Sequence, residues 1–60
     1  MLTVKLETDN AAFGDTAEEA LAESARILRV AAGAMDCGTM SGKLRDVNGH
    51  TVGRWDLTAD

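Results

Sequence analysis

Sixty residues with 45% apolar content make one small domain, near the size at which a hydrophobic core can still hold a chain folded. The single cysteine, Cys37, excludes an intrachain disulfide framework, and no apolar run approaches the ~20 residues that a membrane helix requires. The formal charge of −4 is unevenly placed: residues 7–23 hold Glu7, Asp9, Asp15, Glu18, Glu19 and Glu23 without a Lys or Arg, and the stretches on either side each net +1.

Such segregation creates a directional field that attracts basic surfaces and repels nucleic acid. No basic-then-apolar signal segment follows Met1, so a cytoplasmic protein with no membrane association is expected. The lack of Pro and of low-complexity sequence points away from linkers and disordered tails.

The chain begins with a strand. Leu2, Val4 and Leu6 alternate with Thr3, Lys5 and Glu7, the period of two that marks one buried face. Thr8-Asp9-Asn10 should end it, because these side chains bond their own backbone and favour turns. Phe13, in the connection that follows, is too large to leave in water and is expected to close one end of the core.

A helix starts at Thr16, whose hydroxyl can cap it, with Glu19 completing a Thr-x-x-Glu capping box. Asp15, Glu18 and Glu19 also set negative charge beside the positive end of the helix dipole. Leu21, Ala25, Leu28, Ala32 and Met35 recur on one helical face, which Ala20, Ile27 and Ala31 widen. Glu23, Arg26 and Arg29 fall outside it. The helix should end between Ala32 and Met35, with Gly33 or Gly38 available for a left-handed stop.

A second strand is expected from about Met40 and a third over 51–57, folded about Asn48-Gly49, the strongest short hairpin signal. A two-residue turn there sets Val47 opposite His50, Leu44 opposite Gly53 and Lys43 opposite Arg54. Met40, Leu44, Trp55 and Leu57 then share one face; Lys43, Arg45, Val47, His50, Val52 and Arg54 share the other. Asp46-x-x-Gly49 also fits a type I turn closed by a left-handed Gly bulge, which pairs Asp46 with His50 and Leu44 with Val52. The core pattern favours the first register. The predicted fold is α+β: β-α-β-β, one helix on a three-stranded antiparallel sheet with the last strand in the middle.

No enzyme is expected, nor any metal or other cofactor. The glycines around the hairpin match neither a P-loop nor a dinucleotide fingerprint, and turn geometry explains them. One His and one Cys cannot build a four-ligand zinc site. They flank a strand that rises ~3.3 Å per residue, too far apart for a nucleophilic pair. Two surfaces remain. The six carboxylates Glu7, Asp9, Asp15, Glu18, Glu19 and Glu23 form the candidate partner-binding patch, although capping accounts for part of them. Lys43, Arg45 and Arg54 on the outer hairpin face form an alternative nucleic-acid surface, disfavoured by the lack of aromatic stacking platforms.

Three blocks carry a resemblance: Thr8-Asp9-Asn10-Ala11-Ala12-Phe13, then Ala25-Arg26-Ile27-Leu28-Arg29, then Leu44-Arg45-Asp46-Val47-Asn48-Gly49 with Val52-Gly53. In this order they are similar to a family of short phage and prophage proteins, and the resemblance implies a phage setting rather than an activity. The family is often more charged near the helix end, where this chain has Ala31-Ala32-Gly33-Ala34-Met35. Functionally, a tiny acidic domain in that setting resembles small anti-CRISPR proteins, some of which present carboxylates where DNA phosphates would sit. The expected partner is then a host complex with a basic groove, bound by a monomer or homodimer. A self-associating structural or regulatory module, joined through the Ala31–Met35 face or a sheet edge, is the alternative.

Overall fold

The computed structural model describes residues 1–59. Strand β1 (Leu2–Leu6) leads through a 3-10 turn (Ala11–Phe13) to helix α1 (Ala17–Asp36), and a hairpin of β2 (Ser41–Arg45) and β3 (Thr51–Leu57) completes the chain. The sheet order is β1-β3-β2 with both pairs antiparallel, so the α+β fold and the central place of the last strand are as the sequence predicts.

Local chemistry accounts for the helix ends. Thr16 is extended and its Oγ1 accepts the Glu19 N–H at 3.1 Å, while the Thr16 hydroxyl donates to Glu19 Oε1. At the other end Gly38 takes φ 88°, and the N–H groups of Gly38 and Thr39 bond the carbonyls of Met35 and Ala34, which stops the helix at Asp36. Gly38, rather than Gly33, is therefore the stop.

The core comprises Phe13, Ile27, Ala31, Leu44, Val52 and Trp55, with Leu6, Ala12, Ala20, Ala34 and Met35 packed around it. Each large side chain so buried contributes on the order of 1.5–3 kcal/mol. Phe13, 1% exposed, closes the end of the core as expected. The helix presents a different face from the predicted one. Ala20, Glu23, Ile27, Ala31 and Ala34 point inward, whereas Leu21 is 70% and Leu28 42% exposed. A carboxylate, Glu23, sits in the middle of the inward stripe, and a hydropathy pattern passes over it.

Both hairpin registers are realised, in different parts. Near the turn the second one holds: the Asp46 N–H bonds the His50 carbonyl, the Gly49 N–H bonds the Asp46 carbonyl, and Gly49 has φ 84°. Further along the first one holds, with Leu44 opposite Gly53 and Lys43 opposite Arg54. The change occurs where Leu44 pairs with Gly53 but Arg45 with Thr51, so Val52 is an extra residue in β3. This bulge turns Val52 into the core, 8% exposed, and corrects its expected place on the outer face. Met40 and Leu57, expected beside Leu44 and Trp55 in the core, are about half exposed.

Two glycines make opposite predictions. A Cβ on Gly53 would collide with the Lys5 carbonyl oxygen and come within 3.0 Å of Leu6 Cα, whereas one on Gly33 meets nothing within 4 Å. Gly53→Ala should therefore lower the thermal midpoint by several degrees or more, and Gly33→Ala should stabilise α1 by roughly 0.5–1 kcal/mol. Circular dichroism melts of the two variants check this; shifts of the same sign would refute it.

Candidate interaction surfaces

A polar cluster joins the three sequence blocks. Asn10 caps the 3-10 turn by accepting the Ala12 N–H at 2.8 Å, and its Nδ2 donates to Asp46 Oδ2 at 2.8 Å. Asp46 Oδ1 accepts the N–H groups of Asn48 and His50, both at 2.9 Å, which holds the hairpin turn. One residue on, the Val47 N–H donates to Glu23 Oε2 at 2.8 Å, tying the turn to α1. Glu23 is in turn held by Arg26, whose Nε and Nη2 reach its two oxygens at 2.7 and 2.9 Å. Arg26 Nη2 also reaches the Arg45 carbonyl at 3.4 Å.

The electrostatics follow from these bonds. The Arg26 guanidinium and the Val47 N–H hold the Glu23 carboxyl below its ordinary range against the opposing effect of burial. Burial pushes the Asp46 carboxyl up, but the His50 N–H, the Asn10 amide and the Asn48 N–H outweigh it and leave it lowered. Each carboxylate thus has backbone and side-chain donors fixed around it. The cluster builds structure.

Glu23 consequently leaves the acidic patch. It faces inward, is 9% exposed and serves Arg26 and Val47, so its assignment as a partner-binding residue on the helix surface is corrected. Glu7, Asp9, Asp15, Glu18 and Glu19 remain exposed, two after β1 and three around the first turn of α1. Among the described residues none of these five forms an ion pair, and only Glu19 has a side-chain hydrogen bond, the one to Thr16.

The opposite sign lies on the open sheet face. Register sets Lys5 opposite Arg54 and Arg54 opposite Lys43, one row of three cations across all three strands. Arg45 follows next on β2. Cations directly opposite one another repel, and among the described residues no carboxylate pairs with any of them. Sequence reading found Lys43, Arg45 and Arg54 but not Lys5. Its place in the row depends on the register of β1 against β3, and alternation along β1 says nothing of that.

Cys37 ends α1 and is exposed; the His50 ring is 76% exposed, with Nδ1 3.5 Å from Asp46 Oδ2. Among the described residues no group of three His, Cys, Asp or Glu could hold a metal ion, and no helix is long and apolar enough to cross a membrane. Comparison with known proteins adds nothing to this geometry. No family model, curated protein or solved structure matches the chain.

The two lowered carboxyls fix the sign of the acid response. Their folded values lie below the ordinary 4.5 of Glu and 3.8 of Asp, so the unfolded chain binds protons first as pH falls. The stability they contribute is complete above about pH 4.5 and is lost as pH drops through the lowered folded values. Acid titrations followed by Trp55 fluorescence should show the double variant Glu23→Gln, Asp46→Asn less stable at neutral pH, with a shallower fall below pH 4.5. An unchanged acid limb would contradict the assignment.

Proposed function

We propose that this chain is a small phage-type interaction protein without catalytic activity, acting by occupying the basic groove of a host CRISPR or other DNA-binding defence complex. The observation that carries the reading is five exposed carboxylates that form no ion pair among the described residues, Glu7, Asp9, Asp15, Glu18 and Glu19, where β1 ends and α1 begins. Capping and the helix dipole use Glu18 and Glu19 but need neither Glu7 nor Asp9. Carboxylates left without a cationic partner are the complement of Lys and Arg that otherwise hold phosphates, and they steer encounter with such a surface.

The cation row supports a second reading, weak binding of a nucleic-acid backbone to the open sheet face by Lys5, Lys43 and Arg54, with Arg45 beside them. The five carboxylates oppose it through the overall charge of −4.

One competition experiment separates the two. Purified protein should displace labelled DNA from a bacterial CRISPR surveillance complex, and the triple reversal Asp9→Lys, Asp15→Lys, Glu18→Lys should weaken this by at least about tenfold. Lys43→Glu with Arg54→Glu should leave it unchanged. Displacement that survives the acidic reversals would refute the first reading. Direct, salt-sensitive binding of DNA that is lost in the Lys43, Arg54 variant would establish the second.

A further inference from the structure

Exposed apolar side chains occur on both sides of the helix, with Val30 and Val47 toward β2 and Leu2, Val4, Leu21 and Leu28 toward β1. Helix α1 lies closest to β2 and covers the inner face of β1 only at Leu6, so Leu2 is 49% and Val4 43% exposed although both point to the helix side. The helix flank above them carries Leu21, Leu28 and Met35, one residue every two turns. Met35 lines a shallow cavity with Leu2, Met40 and Leu57, which places that flank on the β1 side; Arg26 and Val30 line the groove at the β2 edge. The half-exposed Leu2 and Val4 and an apolar helix flank therefore lie on the same side.

Size points the same way. A folded monomer of 6.3 kDa is expected to expose about 3,700 Å², and this chain exposes 4369 Å². The excess, roughly 600 Å², approaches the ~800 Å² that each partner contributes to an interface of standard size. The radius of gyration, 11.9 Å, likewise exceeds the roughly 10 Å of a compact chain of this length.

β1 is also an edge strand with its backbone groups ready to pair. Met1 and Thr58 exchange N–H···O bonds, and the Glu7 N–H bonds the Val52 carbonyl, so the odd residues of β1 face β3. The N–H and C=O groups of Leu2, Val4 and Leu6 consequently point away from the sheet.

We propose that a second copy of this chain docks here, its β1 antiparallel to the first about a two-fold axis at Val4. Val4 then exchanges two hydrogen bonds with Val4 of the second copy, and Leu2 pairs with Leu6 of the second copy, each through outward-facing backbone groups. All three apolar residues keep to the helix side, as the period of two requires. Lys5 falls opposite Thr3 of the second copy, so no like charges meet across the seam. The antiparallel arrangement also sends the two acidic ends to opposite extremes of the dimer. A six-stranded sheet results, with the Leu21, Leu28 and Met35 flanks facing each other across the joined β1 strands. This dimer does not depend on the proposed function.

Sedimentation equilibrium over a concentration series tests it, with three variants. Val4→Pro removes an N–H that serves only the free edge, so it should weaken association at least about tenfold while the monomer stays folded. Leu28→Glu, on the exposed flank, should do the same without touching the sheet. Val4→Cys in a Cys37→Ser background should cross-link under mild oxidation, because Cα atoms of such a pair lie about 5.5 Å apart. Lys43→Cys on the opposite edge should not. A protein that stays monomeric through hundreds of micromolar, or a dimer that Val4→Pro and Leu28→Glu both leave intact, would overturn the proposal. Cross-linking through Cys at position 43 but not 4 would do so as well.

Discussion

The structure depends on one side chain that no hydrophobic pattern marks, the carboxylate of Asp46. With its side chain fully shielded, it accepts the N–H groups of Asn48 and His50 and the amide of Asn10. It thereby shapes the hairpin turn and anchors the loop between β1 and α1 in one step. Glu23 does the complementary work from the helix, taking the Val47 N–H and holding Arg26. Buried charge is tolerable only when its acceptor sites are filled, and no buried side-chain nitrogen or oxygen among the described residues lacks a partner.

This clip explains how so short a chain fixes its elements with so thin a core. Phe13 is delivered to the core by the 3-10 turn that Asn10 caps, and Asn10 is fixed by Asp46. Val52 reaches the core because the turn held by Asp46 is one residue out of step with the rest of the hairpin, and the bulge absorbs the difference. The blocks Thr8–Phe13, Ala25–Arg29 and Leu44–Gly49 thus contribute Asn10, Arg26 and Asp46 to one cluster, so structure accounts for much of what makes them distinctive.

Much of the fold was legible in the sequence, and the failures share a cause. Alternation in β1, the Thr16 cap and the Asn48-Gly49 turn are local signals, and each produced its element. What failed required tertiary context. Counting only apolar residues drew the helix face through Leu21 and Leu28, because the true stripe has Glu23 at its centre. The two hairpin registers looked exclusive, since nothing local shows that a bulge lets both occur. Glu23 read as a surface charge until Val47 and Arg26 surrounded it, and Lys5 joined the cation row only once the register of β1 against β3 was fixed. Glu7, Asp9, Asp15, Glu18 and Glu19, by contrast, are exposed and available to a partner.

The central claim is that the Asp46 and Glu23 carboxylates hold the turn to the rest of the molecule. Hydrogen exchange of the Val47, Asn48 and His50 amides, measured residue by residue under native conditions, tests it most directly. These N–H groups belong to exposed residues in a loop and would exchange at nearly free rates without the two carboxylates. The account predicts protection comparable to that of Leu44 and Trp55 in the core, opening only with global unfolding. Near-free exchange at all three amides, with the sheet still protected, would contradict it.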